Sequence, residues 1–336
     1  MKKQVKKTLL LLCTSFITVW IIVALLPRIH NYEGKNPLII APQTRPLLIA
    51  HGGGNREFPD NTLEAFYHAY SIDPTCMMET DVSLTKDGVI ILSHDTTLDR
   101  KTNLTGAIID YNYQDLLNDE IDFAYENKNG ELIKYRNYLG NNVLPTDVNY
   151  PDGISPRHDS KFLVTTLKEL IISFPNNYIN VEIKQKGEIG LEALATVFKL
   201  MDELDSTYHT YERIVLASFH QEIYEKLVST KKYVNSKLKF SPATKGVTAF
   251  FLLQLLGLDL FYLEKITVFQ LPIEQYGINL ASKNFIAKAH RHNIALHYWT
   301  IDDEETITML VENGADGIMT NIPSLLKDVY DRIFIN

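Results

Sequence analysis

Cysteine is nearly absent: Cys13 and Cys76 are the two in 336 residues. Cys13 lies in an apolar N-terminal run that cannot share a fold with Cys76, so a disulfide scaffold and a thiolate zinc site are both excluded. Any metal here is held by oxygen or imidazole. Basic charge is scarce as well, with 33 Lys and Arg against 41 Asp and Glu and a formal net charge of -8. Neutralising nucleic-acid phosphates takes a basic patch that this chain does not show, so the expectation is no nucleic-acid partner. Gly (16) and Pro (13) are too few for a collagen-like or low-complexity chain, and no heptad or short repeat occurs. With 45% apolar residues, the chain can bury a large core.

The one long apolar run is at the N-terminus. Lys2, Lys3, Lys6 and Lys7 precede eighteen uncharged residues, Leu9 to Leu26, which Pro27 and Arg28 follow. As a helix this run reaches about 27 Å, close to the hydrocarbon thickness of a bilayer. Four lysines before it and one arginine after it orient the N-terminus to the cytoplasm. The expectation is a single-pass cell-membrane protein: residues 1–30 a basic stub and anchor, 31–45 a linker with Pro37 and Pro42, and 46–336 an extracytoplasmic domain. A cleaved signal peptide is the competing reading, but no small-x-small pair follows the run.

Beyond the linker, short apolar runs alternate with helical stretches. Strands are predicted at Leu47–Ala50, Met77–Leu84, Val89–Leu92, Tyr178–Lys184, Ile214–Ser218, Leu238–Phe240, Val268–Leu271, Ala295–Trp299 and Gly317–Thr320. A helix is predicted to open at Asn61, with Asn61 as N-cap and Glu64 three residues on. Others are predicted at Thr166–Phe174, Leu191–Leu204, Gln221–Ser229, Lys283–His292, Glu304–Glu312 and Pro323–Tyr330. This alternation predicts an α/β fold, and a (β/α)8 TIM-type barrel fits the length. Only Thr85 to Gly88 separate two of the nine strands, too few for a crossover helix, so these form a hairpin and eight barrel strands remain. A turn centred between Lys86 and Asp87 would place His94 opposite Glu79. The segment from about 96 to 160, with six tyrosines, is outside the barrel period. It reads as an insertion: either an aromatic cap over a pocket for a polar substrate, or a solvated excursion.

Polar residues on apolar strands carry the chemistry. Glu79 and Asp81 are two apart and share one strand face, where like charges repel unless a cation lies between them. Glu182 adds a third carboxylate at another strand, followed by Lys184, and an oxygen-rich site of this kind suits a divalent cation, Mg²⁺ or Ca²⁺. His51 ends the first strand and His94 the hairpin. Two imidazoles converging on three acids form the general acid and base pair that phosphoester cleavage needs. The glycines after His51 also suit a lipase oxyanion loop, but the chain has no GxSxG pentapeptide for the nucleophile.

The runs HGGGNREFPDNTLEAF, ETDVSLTKDGVIILSHD, NVEIK, LASFH, LHYWTIDDEE and GADGIMTNIPSLL, in this order, resemble the glycerophosphodiester phosphodiesterases from Leu47 to about Leu326. The resemblance implies a (β/α)8 barrel with an insertion after the hairpin. It also implies His51 and His94 as catalytic pair, Glu79, Asp81 and Glu182 as metal ligands, Lys184 on the phosphoryl charge, and Trp299 lining the pocket. The implied reaction is hydrolysis of a glycerophosphodiester to sn-glycerol 3-phosphate and an alcohol, alternatives being a lysophospholipase D-like activity on lysolipids or a degenerate binding module. Gly52 stands where the family has arginine, and Arg56 is the expected substitute on the phosphate. Asp60 replaces a usual Glu. Asn321 replaces a usual Asp, at a place expected to be farther from the chemistry. Finally, Ala249 to Leu263 is apolar on nearly every side. It reads either as a buried barrel helix and loop, or as a segment dipping into the outer leaflet beside the active site.

Overall fold

The computed structural model describes residues 2–28, 34–41, 43–118, 120–231 and 238–335. Eight parallel strands surround one axis: β1 (Leu47–His51), β2 (Met77–Leu84), β4 (Ile179–Ile183), β5 (Ile214–Ala217), β6 (Lys239–Phe240), β7 (Val268–Leu271), β8 (Ala295–Tyr298) and β9 (Gly317–Thr320). Their order is β6-β5-β4-β2-β1-β9-β8-β7, and β3 (Ile90–Leu92) pairs antiparallel on β2. The Thr267 N–H donates to the Phe240 carbonyl at 3.1 Å and bridges the seam between β6 and β7. The strands are nearly continuous apolar runs because both faces are covered, by helices outside and by packed side chains within. Below the cavity, Leu38, Ile49, Met77, Val215, Val268 and Ala295 fill the interior, with Met319 reaching up to the cavity floor.

The connecting helices are α2 (Leu63–Ile72), α3 (Leu167–Ser173), α4 (Gly187–Tyr208), α5 (Gln221–Lys231), α6 (Thr244–Leu255), α7 (Lys283–Arg291), α8 (Glu304–Asn313) and α9 (Pro323–Phe334). A separate apolar helix, α1 (Lys2–Leu25), precedes the barrel, long and apolar enough for a membrane span or a signal sequence. The N-cap of α2 is Thr62, whose side chain accepts from the Ala65 N–H. Asn61, expected in that role, instead has φ 58° and turns its amide into the barrel. Thr166 caps α3 with a reciprocal bond from Glu169.

Two expectations of connection are corrected. The hairpin pairs Val82 with Leu92 and Leu84 with Ile90, one residue out from the expected register, because Gly88 at φ 78° makes a three-residue loop. His94 therefore lies beyond the ladder and not opposite Glu79. The described part of the expected linker is also no loose tether. Asn36 donates to the carbonyls of Thr267 and Asn293, the Ile40 N–H donates to Asp316, and fully buried Leu38 plugs the N-terminal end of the barrel.

The described part of the insertion joins a buried base to an outer hairpin, Tyr125–Lys134, that is largely solvent-exposed. Phe123, Phe162, Ile108 and Leu116 are buried in the main core, Arg157 reaches Glu64, and Tyr150 packs on Tyr67 of α2. The segment thus braces α2 from the side. The loop after β1 is held just as closely: a Cβ on Gly53 would lie 2.7 Å from that of Ala65, at a φ of 87°. Gly53→Ala should destabilise the fold by more than about 1 kcal/mol. Urea unfolding should show the midpoint falling at unchanged slope.

Candidate active site

Parallel strands in register bring their inward residues to common levels, so β2 places Glu79 beside His51 of β1 and Asp81 beside Glu182 of β4. The three carboxylates offer oxygens all within 4.8 Å of one another, at the C-terminal end of the barrel. Lys184 follows β4, and its Nζ lies 3.0 Å from Asp81 Oδ1 and 2.9 Å from Glu182 Oε1. Glu79 Oε2 accepts from the Gly52 N–H at 2.9 Å. Burial and then Asp81 push the Glu79 carboxyl well above the ordinary range, and burial raises Glu182 although Lys184 opposes it. One ammonium does not compensate three crowded carboxyl groups, and a divalent cation among them would relieve the repulsion that adds to burial in raising Glu79 and Glu182. An all-oxygen donor set fits Mg²⁺ or Ca²⁺.

The two histidines have different partners. His51 Nδ1 lies 2.6 Å from Asn321 Oδ1, while Asn321 Nδ2 donates to Asp302 Oδ2 at 2.8 Å. The amide orientation set by Asp302 makes His51 Nδ1 the donor and turns Nε2 to the cavity, 3.9 Å from Glu79 Oε2. Asn321, expected to be remote from the chemistry, is in direct contact with it. His94 Nδ1 pairs instead with Asp95 Oδ1 at 2.9 Å, and Arg100 holds the other Asp95 oxygen and reaches Asp60 at 3.3 Å. The hydrogen bond that His94 donates to Asp95 raises the His94 pKa, and the same bond lowers Asp95 to about 2.

His51, Glu79, His94, Glu182, Lys184 and Trp299 line one cavity of about 210 Å³ that opens to solvent. Asp81 lies just behind it, held by Lys184 and by Asn61 Nδ2 at 3.2 Å. Arg56 is not brought in: its guanidinium lies over the Tyr138 ring and 3.7 Å from Asp302. The insertion's tyrosines are not among the lining residues either; Tyr135 bonds the Asn55 carbonyl and Tyr111 that of Thr105. Residues not singled out from the sequence complete the site. Gln270 Nε2 donates to Asn180 Oδ1 at 2.7 Å across the floor, and Phe219 meets Trp299 edge to face at 6.1 Å. Inward strand alternation was the available signal for Asn180 and Gln270, and for Phe219 its place in the LASFH run.

The glycerophosphoryl diester phosphodiesterase family model matches residues 51–325. The chain belongs to that family. Among similar proteins, lysophospholipase D GDPD1 of Homo sapiens is 25% identical over 302 residues, covering 83% of this chain and 84% of that protein. A glycerophosphodiester phosphodiesterase of Bacillus altitudinis is 23% identical over 282 residues, covering 82% and 94%. A phosphodiesterase of Oleispira antarctica, solved with the product sn-glycerol-3-phosphate, superposes at a TM-score of 0.61 with 18% identity, covering 85% of this chain and 97% of that one. The corresponding domain from Mycobacterium tuberculosis gives 0.63 with 12% identity, covering 85% and 99%. At these identities the two structures bear on the fold, and both share the barrel of this family member.

Proposed function

We propose that this phosphodiesterase hydrolyses glycerophosphodiesters to sn-glycerol 3-phosphate and an alcohol, with His51 as general base and His94 as general acid. The observation that carries the reading is the gathering of both imidazoles, the acid cluster and Lys184 at one cavity, with unlike partners behind the two imidazoles. The amide of Asn321 directs His51 Nε2 to accept a proton from the nucleophile, which is either water or the neighbouring glycerol hydroxyl, the latter giving a cyclic phosphate that a water molecule then opens to glycerol phosphate. The hydrogen bond to Asp95 favours the protonated form of His94, the form that can protonate the leaving alkoxide. Glu79, Asp81 and Glu182 would hold a divalent cation, which supplies Lewis-acid stabilisation of phosphoryl charge when bound. Lys184 adds a fixed ammonium on the same side of the cavity, and Trp299 with Phe219 forms its apolar wall.

That apolar wall supports lysophospholipids delivered from the aqueous phase as a second substrate class, since they carry the same diester beside one acyl chain. Helix α1 is read as a retained single span with the barrel extracytoplasmic, on the excess of lysine before the apolar run. The test is incubation of the full chain with glycerophosphodiesters and lysophospholipids in Mg²⁺, Ca²⁺ or EDTA, followed by phosphorus analysis of the products. Glycerol phosphate should appear with metal and not with EDTA. Ligand binding without turnover in either metal would identify a binding module instead.

A further inference from the structure

The anchor helix is fixed to the end of the barrel opposite the cavity. Arg28 is buried at the junction: its Nε lies 2.8 Å from Asp259 Oδ2, and its Nη atoms donate to the Val23, Ala24 and Leu26 carbonyls that end α1. Arg291, at the C-terminus of α7, donates to the Ala24 carbonyl at 2.6 Å, and His292 shares Asp259. One turn below the end of α1, Trp20 Nε1 donates to the Leu256 carbonyl at 3.4 Å. A Cβ on Gly257 would lie 2.7 Å from the Trp20 ring, so glycine permits that contact. Barrel helices run back from the C-terminal strand ends, so Leu256, Asp259, Arg291 and His292 all lie at the N-terminal end.

Helix α6 records the separation. It begins just after Ser241 and Pro242, which line the cavity, and ends beside Trp20. Twelve residues make a helix of about 18 Å. Its exposed side chains are sorted along that length: Thr244, Lys245 and Thr248 near the cavity, then Leu252, Leu255 and Leu256, followed by Phe261 and Leu263. The last five are each more than half exposed, and Leu256 with Leu258 shares a surface groove with Phe16, Ile17 and Trp20 of α1. An apolar rim continuous with a helix of membrane-spanning length has one suitable occupant, the acyl region of the leaflet that the helix enters.

We propose that the barrel stands upright on its membrane, the α6 rim seated in the outer leaflet and the catalytic mouth turned away from the lipid. The substrates are then diesters presented from the aqueous phase, soluble glycerophosphodiesters or glycerophosphate polymers, and not lipids resident in the anchoring leaflet. The substrate half of this inference rests on the phosphodiesterase reading above. It also replaces the expectation that Ala249 to Leu263 enters the leaflet beside the active site: the apolar part enters at the far end.

The chain's two tryptophans, Trp20 and Trp299, report the two ends of this geometry. The full chain is reconstituted into phosphatidylcholine vesicles with and without brominated acyl chains, as Trp20→Phe and, separately, Trp299→Phe. Emission from Trp20 should fall severalfold with brominated lipid, and emission from Trp299 should stay unchanged. Quenching of Trp299, or none of Trp20, overturns the proposal, as does loss of α1 from the mature chain. With the unsubstituted chain in such vesicles, glycerophosphocholine should turn over as fast as without lipid. Long-chain lysophosphatidylcholine in the anchoring leaflet should react at least about a hundredfold more slowly, since raising its headgroup to the mouth strips the acyl chain into water. Equal rates overturn the substrate half. If neither compound reacts while the quenching pattern holds, the phosphodiesterase reading fails and the upright orientation stands.

Discussion

Alanine at His51 or at His94 should lower kcat/KM for glycerophosphocholine by about 10²–10⁴-fold, the usual contribution of one proton-transfer group. The two losses should differ with the leaving group. His94 is assigned to protonate the departing alkoxide, so with a p-nitrophenyl diester, whose leaving anion is stable unprotonated, most of the His94→Ala defect should vanish. The His51→Ala defect should persist, because the nucleophile still has to lose its proton. Steady-state kinetics on the two substrates separate these outcomes, and equal rescue of both variants would reverse or abolish the assignment. The pH profile gives a second check. His94 works protonated, so activity is lost as pH rises through its pKa, which the Asp95 hydrogen bond raises. Asp95→Asn removes that carboxylate, so the alkaline limb should move to lower pH.

Removing divalent metal should cost at least about a hundredfold in kcat, since Lewis-acid stabilisation is worth several kcal/mol and 1.36 kcal/mol is a factor of ten. Glu182→Gln should weaken metal affinity and raise the Mg²⁺ concentration needed for half-maximal rate. Stability should respond with opposite signs. With metal bound, Glu182→Gln should lower Tm, because a ligand has been lost and binding stabilises the folded state. With EDTA it should raise Tm, because one of three crowded buried carboxylates is gone. The pH dependence follows from the raised pKa values of Glu79 and Glu182. A folded-state pKa above the unfolded one means that the metal-free native state binds more protons, so its stability falls as pH rises beyond the ordinary glutamate range. Calorimetry with Mg²⁺ and with EDTA across that window measures all of this, and a Tm blind to chelator would remove the cation from the site.

The elements most legible in the sequence were those whose composition leaves no alternative. Met77–Leu84, Val268–Leu271 and Gly317–Thr320 have the expected strand boundaries, because short apolar runs between turn residues fit only a sheet covered on both faces. Glu79, Asp81 and Glu182 were legible because charge on such strands has to face something that compensates it. Asn321 was misjudged: its distance from His51 along the chain is 270 residues, and only the parallel pairing of β1 with β9 makes them neighbours. Arg56 was misjudged in the opposite sense. It is four residues beyond Gly52, but the turn that packs Gly53 on α2 directs it to Tyr138 and Asp302.

Local pattern by itself therefore determined the apolar helix, the alternation of strand and helix, and the residue types able to hold a cation and move protons. Each of these depends on burial or charge within a few neighbouring residues. The partners that distinguish His51 from His94, the flanking place of the insertion and the end of the barrel to which α1 attaches were decided by tertiary structure. They arise from contacts such as Arg28 with Asp259, 231 residues apart, where closure of the sheet brings together groups with no local signal for one another.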